Sequence, residues 1–345
     1  MTVLNQTFSA DDEYLHEATG DSDFNESMYF NFVDRRQGYA GLVRMGNRIN
    51  EGHAEVTVLV YLPDGGAAFH FDRPPITMPD SFDAGGLSFE IVDPGEHVRV
   101  TYAGSAHRLA NGTDLADPGA ALRNSPELPV RLLLDYRGLA PLFGLGHGTT
   151  GTTGMGGGED AVASQHYEIP CRISGSIQLG DQHIEVEALG IRDHSWGPRR
   201  WQAPTYWRWL SGMFDENNGF VAWSVRVGDR REPGSGMWMR DGEVLRLVDI
   251  DIASDYGPPP HYPTAMRMVL TAESGEQINV SGEVLATVPL RNRKADVVAR
   301  LSELVCRYEI DGDPGRGGAE GRSAYGIAEY HDLIVGGVPA GMHEA

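Results

Sequence analysis

The stretch GIRDHSWGPRRW, residues 190–201, sets Arg192, Asp193, His194, Trp196 and Trp201 within ten positions, beside a glycine and a proline that end regular structure. An imidazole or a carboxyl can move a proton near neutral pH, and a guanidinium can hold an oxygen in place. Indole faces can shield a carbocation. Together these groups suit acid/base chemistry on an apolar substrate. The same residues could also be a structural plug, with Arg192, His194 and Trp196 filling a barrel end and Asp193 paired outside with Arg199 or Arg200.

Spacing sorts the residues. Read as a strand, 184–196 puts Ile184, Val186, Ala188, Gly190, Arg192, His194 and Trp196 on one face and Glu185, Glu187, Leu189, Ile191, Asp193 and Ser195 on the other. In a barrel, the first face points inward and delivers the cation, imidazole and indole to the cavity mouth. Downstream, TYWRWLSGMF places Tyr206, Arg208 and Leu210 on one face and Trp207 and Trp209 on the other. Rings lining a cavity would each be worth roughly 2 kcal/mol to a desolvated cation; Trp223 is counted with them as substrate-binding. In SAYGIAEYHDLI, Tyr325, Ile327, Glu329 and His331 share a face. A Glu329 carboxyl in an aromatic cavity would be driven up in pKa by desolvation and could serve as an acid; a Glu paired with an arginine is the alternative.

The elements that must carry these groups are antiparallel hairpins. HAEVTVLVYLPDGGAAFHFD runs strand, Pro-Asp-Gly-Gly turn, strand, and the plan recurs at Asp93-Pro94-Gly95, Gly180-Asp181 and Asp241-Gly242. The 44 glycines exceed the average share of about 7% and fit many short turns. Regular hairpins of this kind build barrels or sandwiches. In KADVVARLSELVCRY, Val297, Val298, Leu301, Leu304 and Val305 also fit a helix, but Leu304, Cys306, Tyr308 and Ile310 alternate, so its second half is predicted as a strand. Residues 1–24 are polar and acidic, an arm expected on the surface.

Other chemistries find little support. A net charge of −21, with 28 Lys and Arg scattered along the chain, disfavours nucleic acid. Cys171 and Cys306 are distant and unpaired in pattern, which suits a reducing cytoplasm. The start has no secretory pattern, and no apolar run is long enough for a membrane helix. No His-Glu-x-x-His occurs and the 12 histidines are dispersed, so no metal ligand is assigned. Gly-x-Ser-x-Gly and a Rossmann fingerprint are missing too. The Gly/Thr-rich segment 144–161 lacks a P-loop ending and reads as a loop or a lid. Any chemistry is expected to be cofactor-free.

Three places carry a resemblance: DHSWG, then YWRWLSGMFDENNGF, then DGDPGRGGAEGRSAYGIAEYHD. They resemble the carotenoid 1,2-hydratase (hydroxyneurosporene synthase) family of tandem lipocalin-like proteins. The resemblance implies an all-β fold of two lipocalin-like (calycin-type) antiparallel β-barrels packed together, divided here as 25–197 and 198–345. It implies a hydrophobic ligand near the Asp-His-x-Trp strand. Carried over by position, His194, Asp193, Trp196 and Glu329 are the catalytic candidates, and Arg192, Tyr206, Trp207, Trp209, Trp223 and Tyr325 the substrate-binding ones. The expected activity is that of a cofactor-independent hydratase or dehydratase, or an isomerase, protonating an alkene or a tertiary or allylic alcohol of a terpenoid or steroid-like compound. The rival readings are a non-catalytic binder of hydrophobic small molecules and a pericyclase. A homodimer is compatible with all three.

Overall fold

The computed structural model describes residues 8–78, 80–144, 165–311 and 323–343. Nearly all of the segment 144–161 and of the turn DGDPGRGG therefore lies outside the described residues. The chain divides into two compact units, the first ending at Arg199 and the second running on from Arg200.

The first unit contains β1 (Phe24–Asp34), β2 (Tyr39–Arg48), β3 (His53–Tyr61), β4 (Ala67–Asp72), β5 (Phe82–Ala84), β6 (Leu87–Asp93), β7 (His97–Leu109), β8 (Glu127–Gly138), β9 (Phe143–Gly144), β10 (Gln165–Leu179) and β11 (Gln182–Pro198). Pairing runs β4-β3-β2-β1-β11-β10-β8-β7, and β4 pairs β7 to close the ring. The period of two expected for 184–196 holds: Ile184, Val186 and Ala188 join the core with Met28, Phe30 and Phe32 of β1 and Tyr167, Ile169 and Cys171 of β10. Register then fixes the neighbours of the chemical residues. His194 is opposite Met28 and Tyr167, Arg192 is opposite Phe30 and Ile169, and Trp196 is opposite Glu26.

That register depends on one close approach. A Cβ on Gly190 would lie 2.1 Å from the Asn31 carbonyl oxygen of β1. Gly190→Ala must push β11 off β1, an overpacking cost of about 2 kcal/mol. The expected readout is a drop in Tm of roughly 4 to 8 °C for a unit of this size.

The second unit contains β12 (Tyr206–Asp215), β13 (Asn218–Val227), β14 (Arg230–Arg231), β15 (Ser235–Arg240), β16 (Glu243–Tyr256), β17 (Pro263–Ala272), β18 (Gln277–Lys294), β19 (Val297–Ile310), β20 (Ala324–Val335) and β21 (Val338–Pro339). Its ring, β12-β13-β15-β16-β17-β18-β19-β20, closes by pairing of β12 with β20. All of 297–310 is strand, including the half that also fitted a helical period. The core takes Leu210, Phe214, Phe220, Ala222, Leu304, Cys306, Tyr308, Ala328 and Tyr330. Alternation therefore puts Trp207, Trp209, Trp223, Tyr325, Glu329 and His331 on the opposite faces of their strands.

Candidate active site

The N-terminal segment, expected on the surface, instead closes one end of the first barrel. Ala10–Glu13 forms a 3-10 turn, started by Asp12 accepting from the Ser9 backbone N–H at 2.6 Å. The turn carries Glu13 inward, where its side chain is wholly buried. Charge complementarity explains the position: Arg192 stands on the inward face of β11 in an apolar interior, and a buried guanidinium requires an anion. Arg192 Nη1 donates to both Glu13 oxygens, at 2.8 and 2.9 Å.

From Glu13 the hydrogen bonds continue without a break. Tyr167 OH donates to Glu13 Oε1 at 2.7 Å and lies 3.2 Å from His194 Nδ1. His194 Nε2 is 3.0 Å from Glu26 Oε1, which also meets His16 Nδ1 at 2.7 Å. The His16 backbone N–H donates to both Glu26 oxygens at 3.0 Å. His16 Nε2 ends the chain 3.3 Å from Asp12 Oδ1. Aromatic rings wall it in. Trp196 stacks on His16 at 3.7 Å between centroids, and Phe82 sets its edge against His194 at 5.6 Å. Phe8 packs against both Tyr167 and Trp196.

Electrostatics shift several members of the chain. Burial and the Glu13 carboxylate both hold the Tyr167 phenol well above its usual range, so it remains a donor. Burial opposes the Arg192 charge, but Glu13 outweighs it and raises the pKa further. For Glu26 burial acts upward, and the hydrogen bonds with His16 and His194 prevail, so its pKa is lowered. For His16 burial acts downward, and Glu26 and Asp12 prevail, so its pKa is raised. Arg192 Nε and Nη2 have no hydrogen-bond partner among the described residues. Two donors of a buried cation are thereby left to hold another oxygen.

Of the residues named from the sequence, Arg192, His194 and Trp196 meet in this cluster. Asp193 does not. Alternation turns it to the opposite face of β11, where its Oδ2 lies 3.7 Å from Nε2 of buried His166, itself 3.6 Å from Glu168. Burial lowers the His166 pKa, but Asp193 and Glu168 more than reverse this. Asp193 is therefore a partner of His166, not the acid beside His194.

Tyr206, Trp207, Trp209, Trp223, Tyr325 and Glu329 belong to the second unit. The expectation that the Trp rings and Glu329 enter a barrel cavity is corrected, because core residues take the inward positions of their strands. Glu329 Oε2 accepts from Trp207 Nε1 at 3.3 Å, and Trp207 stacks on His331 at 4.0 Å. Tyr206 packs its ring against the Arg208 guanidinium, which is buried in an ion pair with Asp332 at 2.8 Å.

His331 supplies a pH prediction. Burial, only partly offset by its bond to the Trp201 carbonyl, depresses its pKa from 6.5 to about 3. The unfolded chain then binds a proton that the folded one refuses. Stability of the second unit should fall by about 1.4 kcal/mol per pH unit as pH drops from 6.5 toward 3. His331→Gln should flatten that slope in urea unfolding across this range.

Glu13, His16, Glu26 and Tyr167 were not singled out from the sequence. For Glu26 a signal exists, since it shares parity with Met28, Phe30 and Phe32 and so stands as an acid on an inward face.

Fold and site together define a protein of two lipocalin-like β units, the first closed at one end by a buried chain of ionisable side chains. The chain belongs to the family described as Domain of unknown function (DUF7064), whose match spans residues 9–325. Among solved structures it is similar to a putative AttH from Nitrosomonas europaea, 14% identical with TM-score 0.62, over 96% of this chain and 97% of that one. It is similar too to kievitone hydratase from Nectria haematococca, 11% identical with TM-score 0.58, over 96% and 95%. CghA is 11% identical with TM-score 0.55, over 93% and 90%. These likenesses establish the shared fold. No curated protein matches in sequence. Among the described residues, no helix is long and apolar enough to cross a membrane.

Proposed function

We propose that the protein is a hydro-lyase adding water to, or removing it from, a hydrophobic terpenoid or steroid-like substrate at an alkene or a tertiary or allylic alcohol. The observation that carries this is the unbroken hydrogen-bond chain Glu26–His194–Tyr167–Glu13, with two further donors of Arg192 beside it. Support comes also from the resemblance to the carotenoid 1,2-hydratase family and from the fold shared with kievitone hydratase.

In the dehydrating direction the substrate oxygen is held by Nε and Nη2 of Arg192 and replaces Glu13 only as the acceptor from Tyr167. The Tyr167 proton passes to the departing hydroxyl as the C–O bond breaks, and His194 Nδ1–H restores it. Water leaves. The tertiary cation lies against the Trp196 indole, a contact worth about 2 kcal/mol when dry. A neighbouring carbon gives its proton to Glu26, which passes it to His194 Nε2, and the alkene forms. Hydration is the same path reversed. Asp193 and Glu329 stand off this path, so the acid role falls to His194 acting through Tyr167.

The test is incubation of the full chain with a panel of prenyl and terpenoid alcohols and alkenes in heavy-oxygen water, followed by mass spectrometry. Products that have gained or lost one water, or exchanged their oxygen, support the reading; ligands recovered unchanged overturn it. One observation favours a second reading, a non-catalytic binder: His194 is fully buried with both ring nitrogens engaged. Tryptophan quenching by the same compounds, with none altered, would select it.

A further inference from the structure

Around Glu26 the hydrogen-bond donors do not match neutral imidazoles. Tyr167 has one proton, and its closer contact is Glu13 Oε1, at 2.7 Å against 3.2 Å to His194 Nδ1. A carboxylate against Arg192 can only accept, so His194 Nδ1–H is the donor to the Tyr167 oxygen. A neutral imidazole has one N–H, and Nε2 then turns a lone pair on Glu26 Oε1. His16 stands likewise between two acceptors, Asp12 Oδ1 at Nε2 and Glu26 Oε1 at Nδ1. Its single N–H can serve only one of them: on Nδ1 it leaves the Nε2 lone pair against Asp12 Oδ1, and on Nε2 it leaves the Nδ1 lone pair against Glu26 Oε1. The three atoms lie within 4.8 Å of one another.

Two extra protons would relieve this convergence, and so would one divalent cation bringing the same charge. The cation leaves every outer hydrogen bond intact. His16 Nε2–H to a carboxylate and His194 Nδ1–H to a phenol are the kind of outer bonds that orient metal-bound imidazoles. Stacking on Trp196 also clamps the His16 ring.

We propose that His16 Nδ1, His194 Nε2 and Glu26 Oε1 bind one divalent transition-metal ion of the zinc class. Two imidazoles and one carboxylate favour Zn, Fe, Cu or Ni over Mg or Ca. Bonds of about 2.0 to 2.2 Å place tetrahedral donors roughly 3.4 Å apart, so the observed separations of 2.7 and 3.0 Å need to open by about 0.7 and 0.4 Å. Three protein donors leave a fourth position free. His16 belongs to the N-terminal segment and the other two to β1 and β11, so the ion would pin that segment to the barrel. The proposal does not rest on the reaction proposed above.

The experiment uses the full chain, stripped with a chelator and dialysed, and titrated with Zn²⁺ and Co²⁺ in the absence of any substrate. The expected result is one ion per chain, visible d–d absorption on Co²⁺ loading, quenching of Trp196 fluorescence by Co²⁺, and a Tm raised by Zn²⁺. His16→Ala and Glu26→Gln should abolish the cobalt spectrum and the Tm gain, and Asp12→Asn should weaken binding roughly 10- to 100-fold. If His16→Ala or Glu26→Gln fails to fold, the partly exposed Asp12→Asn carries the test. No stoichiometric binding in the wild type overturns the proposal, as does affinity unchanged in the variants, which would assign the ion to other histidines. Metal binding and water exchange are read separately, so failure of either leaves the other standing.

Discussion

Glu13→Ala is expected to cost the first unit about 3 to 5 kcal/mol, the penalty for stranding one partner of a buried ion pair. Arg192 is 1% exposed, so no solvent can replace the carboxylate that Glu13 supplies through two bonds to Nη1. At roughly 2 to 4 °C of Tm per kcal/mol for a unit of this size, the loss should be plain in thermal unfolding followed by tryptophan fluorescence. Glu13→Gln should cost less, because its amide oxygen still accepts from Arg192. The double replacement Glu13→Leu with Arg192→Met should recover most of the loss, since the Coulombic gain of a buried pair roughly offsets the cost of desolvating both charges. Stability of Glu13→Ala within about 0.5 kcal/mol of wild type, the range of ordinary surface substitutions, would mean that the N-terminal segment is not docked.

How far the sequence reveals this follows from the range of each interaction. The barrels are legible because alternation and turn chemistry are local: Gly180-Asp181 and the period of two from Ile184 suffice to place Arg192, His194 and Trp196 on one inward face. The direction of Trp207 and Glu329 is not legible, because both faces of β12 and β20 carry large residues that are buried or half-buried, and polarity then gives no sign of which side is core. The partners of His194 are long-range facts. Tyr167 stands 27 positions away and Glu26 168 positions away, joined only by strand register. Glu13 was hidden for another reason. An acidic, polar segment looks solvated until the cation it neutralises is known, and that cation lies 179 positions on. The dispersal of histidines that argues against a metal in the sequence is likewise undone by folding, which brings His16 and His194 to one carboxylate.

Tyr167→Phe should separate catalysis from architecture better than any change at His194. Replacing His194 by Ala removes a fully buried ring bonded at both nitrogens, so folding and turnover would fall together and the result would say little. Phenylalanine keeps the Tyr167 ring in its contacts with Phe8 and Trp196 and deletes only the hydroxyl between Glu13 and His194. The unfilled bond should cost about 1 to 3 kcal/mol of stability. If the hydroxyl relays the proton, kcat should drop roughly 10²- to 10⁴-fold, the usual yield of a positioned acid. Substrate affinity should change far less, because Arg192 still holds the oxygen; a rise in KM at constant kcat would instead make Tyr167 a binding group. Turnover equal to wild type would exclude the relay, and the chain of side chains would then serve only to seal the barrel end.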